Sequence, residues 1–156
     1  MSRRIIFMLT ALLVIAISAV PCFGTTRTDS SVNTICYNDG SYAVVTTTTH
    51  VPLMTNVLNK ATNSLTKSSS KTYDYYDKSN SKVWTFTVSG TFTYDGTTAR
   101  AIRSSCSASA NSGWECTKKT SKCSGATVTG NATFRLNGVS KKATIKLTCS
   151  ANGSIS

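Results

Sequence analysis

Few residues in this chain of 156 could do chemistry, and their spacing suits catalysis poorly. The acids are Asp29, Asp39, Asp74, Asp77, Asp95 and Glu115. Glycoside hydrolysis needs two carboxylates in different protonation states on either side of the scissile bond, and no two of these suggest such a pair. Asp95 is committed to a turn with Gly96, and Asp74 and Asp77 fall on opposite faces at strand spacing. His50, the single histidine, has many serines to activate but no nucleophile-elbow motif around it. It reads as a polar residue at a strand end. The expectation is a non-enzymatic protein without a cofactor.

Cys36, Cys106, Cys116, Cys123 and Cys149 lie beyond the N-terminal segment. Zinc sites favour ligands two to four residues apart, whereas nine residues separate Cys106 from Cys116 and six separate Cys116 from Cys123. No metal is expected. Disulfides are, because the N-terminus points to an oxidising destination. Arg3 and Arg4 precede a run from Ile5 to Val20 broken only by Thr10 and Ser18, and Pro21 ends it. Sixteen residues are short for a membrane span of about 20 but match a secretory signal peptide over residues 1–24. Cleavage is expected after Gly24, with Ser18 or Ala19 as alternatives. Localisation is therefore read as secreted, with no transmembrane segment in the mature chain. Connectivity does not follow from spacing. The pairing considered is Cys106 with Cys149 and Cys116 with Cys123, leaving Cys36 free or joined to a retained Cys22.

Residues 25–156 carry 15 basic and 6 acidic side chains, a net charge of +9. The anion-binding candidates are Lys118, Lys119 and Lys122, expected in a loop between two cysteines, with Arg135, Lys142 and Lys146 on the outward face of a hairpin. No recognition helix or aromatic RNA-binding signature accompanies them, so no specific nucleic acid is expected. A phosphate- or carboxylate-rich envelope polymer is the expected partner. The alternative is a membrane-active antibacterial protein, which a Lys-rich amphipathic helix would favour. The one helical stripe present carries only Lys60 and Lys67.

These side chains must be placed by a thin core. Over residues 25–156, 25 Thr and 21 Ser outnumber the 21 Leu, Ile, Val and Phe together. Two segments nevertheless alternate with period two. Trp84, Phe86, Val88, Phe92 and Tyr94 form one row, and Val83 with Thr85, Thr87, Ser89, Thr91 and Thr93 forms the opposite row. Gly90 interrupts the apolar row and implies a bulge or a close backbone approach. Val128, Gly130, Ala132, Phe134 and Leu136 form a second apolar row, which continues through Ala143, Ile145 and Leu147 after Asn137-Gly138. That dipeptide is a type I′ hairpin signal, and it sets Leu136 opposite Val139 and Val128 opposite Leu147. Asp95-Gly96 predicts another hairpin, returning through residues 98–107. A three-residue loop there sets Val88 against Ile102 and Trp84 against Cys106.

Further strands are expected over residues 73–78 and 41–49. A short helix is expected over 52–66, on the stripe Met54, Val57, Leu58, Ala61 and Leu65. The fold class is all-β, an antiparallel β-sandwich of hairpins, with residues 25–65 as an N-terminal segment and 66–156 as the sandwich core. The threonine rows invite comparison with a flat crystal-binding surface. Threonine also simply favours exposed pleated positions, and Arg135, Lys142 and Lys146 share that polar side. Trp84 is expected in the core, and Trp114 either plugs the core or offers a platform for a sugar ring.

The stretch Trp84-Thr-Phe-Thr-Val-Ser-Gly-Thr-Phe-Thr-Tyr-Asp-Gly-Thr-Thr-Ala99, with Trp114-Glu-Cys116 and Leu147-Thr-Cys149-Ser-Ala-Asn-Gly153, resembles an uncharacterised family of small secreted proteins of Gram-positive bacteria. The resemblance spans roughly residues 66–156. It implies an exported, sandwich-like domain with no established activity and no catalytic residues to carry over. The reading is a secreted, non-enzymatic binding or interaction protein.

Overall fold

The computed structural model describes residues 26–52 and 64–156. Eight antiparallel strands follow one another: β1 (Thr26–Cys36), β2 (Tyr42–Pro52), β3 (Leu65–Tyr76), β4 (Lys82–Tyr94), β5 (Ala99–Ala110), β6 (Glu115–Ser124), β7 (Thr127–Leu136) and β8 (Val139–Thr148). The first five form one sheet in the order β1-β2-β3-β4-β5, and the last three form a second in the order β6-β7-β8. The described residues contain no helix. Of the expected helical stripe, Met54, Val57, Leu58 and Ala61 lie outside the described residues, as does the expected signal peptide. Leu65 instead opens β3.

The two period-two rows become the two inner faces. On β4, Trp84, Phe86, Val88 and Phe92 are buried; on the second sheet, Val128, Ala132, Phe134, Ala143, Ile145 and Leu147 are. Trp84 stacks on Phe134 across the interface, with centroids 4.2 Å apart and planes inclined by 10°. Tyr75 and Tyr73 flank the same indole at 4.7 and 5.4 Å. Gly90 and Gly130 serve close approach rather than bending. A Cβ on Gly130 would overlap the Val88 side chain, and one on Gly90 would come within 2.8 Å of Phe92 and 2.9 Å of Val128.

The C-terminal hairpin has the register its turn requires. Leu136 faces Val139, Val128 faces Leu147, and Asn137 and Gly138 hold φ of 46° and 82°. The β4–β5 hairpin departs from expectation. Val88 pairs with Cys106 and Trp84 with Ala110, not with Ile102 and Cys106. The reason is the carboxylate of Asp95, which accepts the backbone N–H groups of Thr97 (2.9 Å) and Thr98 (2.7 Å) and so organises a longer loop. An irregularity between Thr91 and Phe92 then leaves Ile102 as an extra residue, 48% exposed, and returns Ala101 to the buried face. Val83, expected among the threonines, is buried because a second irregularity beside Tyr75 and Tyr76 leaves it unpaired next to Trp84. β3 also extends further toward its N-terminus than residues 73–78 indicated.

Candidate functional site

The expected basic loop is a strand. Lys118, Lys119 and Lys122 lie on β6, whose residues are almost all exposed. The loop reading failed because β6 lies at the margin of its sheet and buries no apolar row, so no alternation marks it.

Register places the cations. Lys122, Thr129 and Lys146 form one row across the outer face of β6-β7-β8, and Thr120, Asn131 and Thr144 form the next. Lys118, Thr133 and Lys142 follow, and the last row is Glu115, Arg135 and Ser140. Five of the six candidates, Lys118, Lys122, Arg135, Lys142 and Lys146, thus share one surface. Lys119 does not: it pairs with buried Ala132 and points to the opposite side of β6. The four lysines frame a polar floor of Thr129, Asn131 and Thr133. From strand geometry the frame measures ~10 Å across the strands and ~13 Å along them. At its Arg135 end, Lys118, Arg135 and Lys142 border a recess of about 500 Å³. Glu115 is the one acid on this face. Among the described residues none of the five cations makes an ion pair; the ion pairs are Arg27–Asp29, Lys82–Asp74 and Lys141–Asp39.

A second charged cluster closes one end of the sandwich. Lys141 lies 3.5 Å from Asp39 and 5.5 Å from the Tyr75 ring centroid. Burial works to lower the Lys141 pKa, but the Tyr75 hydroxyl and the Asp39 carboxylate outweigh it, and the net shift is upward. The Ser41 hydroxyl and N–H hold Asp39 below the usual carboxylate range, with Lys141 assisting. Tyr37 and Tyr73 share a hydroxyl–hydroxyl hydrogen bond above this pair. Burial, then the Tyr75 hydroxyl, raises Tyr37. All these groups have partners, so the cluster reads as structural.

The remaining candidates are dispersed. His50 Nδ1 lies 3.1 Å from the Thr28 hydroxyl, and among the described residues no three His, Cys, Asp or Glu side chains gather to hold a metal. Cys36, Cys106, Cys116, Cys123 and Cys149 form no disulfide among the described residues, so neither pairing considered, Cys106 with Cys149 or Cys116 with Cys123, is present. Cys22, the alternative partner of Cys36, lies outside the described residues. Cys116 and Cys123 sit near opposite ends of β6, ~20 Å apart at strand rise, whereas a bridge requires Cα atoms within about 7 Å. Cys106 pairs with Val88, which packs at Gly130, while the Cys149 N–H donates to the carbonyl of Ala126, four residues before Gly130 and just ahead of β7. Burial raises the Cys149 thiol. Trp114 is half-buried and packs against the core.

The threonine rows prove to belong to two surfaces. Those of β4 lie on the outer face of the five-stranded sheet, where Thr72 pairs with Thr87 and Ser70 with Ser89. Those of β7 lie on the other side of the sandwich. Compared with protein-family models, curated proteins and solved structures, the chain finds no match.

Proposed function

We propose that the protein is a secreted, non-enzymatic binding protein that holds an anionic polymer of the cell envelope against the outer face of β6, β7 and β8. The observation that carries this reading is the register of Lys118, Lys122, Lys142 and Lys146 around Thr129, Asn131 and Thr133, with Arg135 at one end. Five exposed cations without acidic partners are free to meet phosphate or carboxylate groups, and the hydroxyl and amide floor supplies neutral hydrogen-bonding groups between them. Each exposed charge contact is worth only about 0.2–1 kcal/mol, so useful affinity comes from several made at once along a repeating polyanion. The same exposure makes the association sensitive to salt, since screening sets in over ~8 Å at physiological ionic strength. Export, the other part of the proposal, rests on the basic start and the apolar run that follows it.

The test is retention of the mature protein on isolated envelopes. Retention is expected to fall as salt rises, and to fall again in the Lys118→Glu/Lys122→Glu double variant. Retention that is equal at low and high salt, or equal in that variant, overturns the reading.

A further inference from the structure

The two sheets differ in width, and the difference leaves a trough. The inner faces of β3, β4 and β5 are covered by the three-stranded sheet, while β1 and β2 extend past β8; among the described residues the C-terminal stretch 152–155 borders their inner face at one end. Every residue of β1 is exposed. Two recesses follow one another along β2 in the resulting gap. One, of about 420 Å³, lies among Ile35, Val45, Tyr73, Ile145 and Lys146. The next, of about 390 Å³, lies among Asp29, Thr47, Thr49, Lys67 and Gly153.

The wall of this trough is a free strand edge. Thr148 exchanges both backbone hydrogen bonds with Ser156, at 2.9 and 3.0 Å, so its N–H and C=O point away from β7. In an antiparallel ladder that direction repeats at every second residue. The N–H and C=O groups of Lys142, Thr144 and Lys146 therefore face the trough. Among the described residues they have no backbone partner; only the Lys146 carbonyl is engaged, by the Lys71 ammonium at 3.0 Å. A carbonyl has a second lone pair, so that contact leaves room for a further donor. The edge also pairs already. Ile155 bridges Cys149 in antiparallel sense, and Ser156 follows on Thr148.

We propose that this stretch of β8 docks an extended acidic segment of another protein, added as a fourth strand beneath β2. The alternation of a strand specifies the segment. Side chains turned toward the five-stranded sheet meet Ile35, Val45, Tyr73 and Ile145 in the first recess, which apolar groups fit, with Lys71 at its margin. Those turned outward lie beside Lys142 and Lys146, across the strand gap of ~4.8 Å, and must be acidic to complement them. The positive charges of Lys67 and Lys71 at the trough floor act in the same direction. A second copy of this chain fits poorly, because Lys and Arg outnumber Asp and Glu by 17 to 6 and no segment alternates acids with apolar residues. The site shares Lys142 and Lys146 with the proposed polymer face and differs in what else it reads: the backbone edge of β8 and the recess under β2 rather than Lys118 and Lys122 of β6.

The probe is a labelled peptide of about seven residues alternating valine and glutamate, a typical strand length, followed by fluorescence anisotropy at physiological salt and by amide exchange. Exchange at the Thr144 N–H is expected to slow about tenfold on saturation, and Thr144→Pro, which deletes that donor, to weaken binding about tenfold, the equivalent of one backbone hydrogen bond. Proline is tolerated where an edge N–H faces outward. Ile35→Glu provides a second variant, placing like charge on the floor at an already exposed position, and is expected to weaken binding similarly. A block peptide of the same composition, with its valines before its glutamates, should bind about tenfold more weakly, while Lys118→Glu/Lys122→Glu should stay within about twofold. Equal affinity for the block peptide, an unprotected Thr144 amide, or no binding of the alternating peptide overturns the proposal. A fall confined to Lys118→Glu/Lys122→Glu would transfer the peptide to the polymer face and overturn it as well.

Discussion

The covered half of the sandwich and its overhang share one backbone geometry and differ in what their inward positions hold. On β4 those positions are Trp84, Phe86, Val88 and Phe92, all buried. On β1, by register through β2 and β3, they are Ile35, Asn33, Ser31 and Asp29. β2 is intermediate in composition as in position, with Ala43 buried and Val45, Thr47 and Thr49 half-exposed. Apolar area is thus concentrated where a second sheet exists to cover it. The overhang is held by ladder hydrogen bonds and cross-strand hydroxyl pairs rather than by a core. Each is worth on the order of 1 kcal/mol or less, so its strands should open before the covered ones do.

The largest contrast should come from truncating one inward side chain in each half. Phe134→Ala removes a fully buried ring that stacks on Trp84 and is expected to cost ~3–5 kcal/mol. Ile35→Ala, at a site 40% exposed, should cost under about 1 kcal/mol. Urea unfolding of both variants checks this, and equal losses would break the comparison. A smaller effect tests packing from the opposite direction. Gly130→Ala forces a methyl into Val88 and is expected to cost about 1–3 kcal/mol through overpacking, with the midpoint falling and the slope against urea unchanged. Stability equal to the parent protein would mean that the sheets separate easily at their closest point.

Legibility followed the same division. β4, β7 and β8 are readable because one face is buried and the other is not, so apolar and polar residues alternate. Asn137-Gly138 adds turn chemistry that fixes register on its own. β1 has no such contrast: in Thr26-Arg-Thr-Asp-Ser-Ser-Val-Asn-Thr-Ile-Cys36 the two aliphatic residues are Val32, outward, and Ile35, inward, and every residue is exposed. β6 fails for a related reason, its lysines being typical of a protected edge. The candidate site was half visible. Arg135, Lys142 and Lys146 share a face by simple alternation on a hairpin, but placing Lys118 and Lys122 beside them required β6 to be a strand, and excluding Lys119 required its register. The trough left no signal at all, since it arises from unequal sheet widths and not from any motif.

The smallest contrast expected is between two aspartate turns, one in each half, and it is read by acid. Asp95, in the loop joining β4 to β5, accepts from the backbone N–H of Thr98 and from the hydroxyl and N–H of Thr97, and these donors hold its pKa far below the usual carboxylate value. Asp39, in the loop joining β1 to β2, is lowered mainly by the hydroxyl and N–H of Ser41. A carboxyl whose folded pKa is depressed contributes stability that is fully present above its unfolded value, about 3.9, and that is lost as pH falls toward the folded value. Replacing either residue by Asn should therefore narrow the stability gap between neutral pH and pH 3, and Asp95→Asn should narrow it more, having the larger depression to lose. The effect is small because both groups are solvent-exposed, so it is best read as the difference between two melting curves for each variant. A wider gap in Asp95→Asn than in the parent protein would reverse the sign and show that the turn binds the protonated acid better than the carboxylate. Equal narrowing in the two variants would mean that the turn anchoring the overhang is as firmly tied by its aspartate as the one in the covered half, leaving the difference between the halves to the side chains between the sheets.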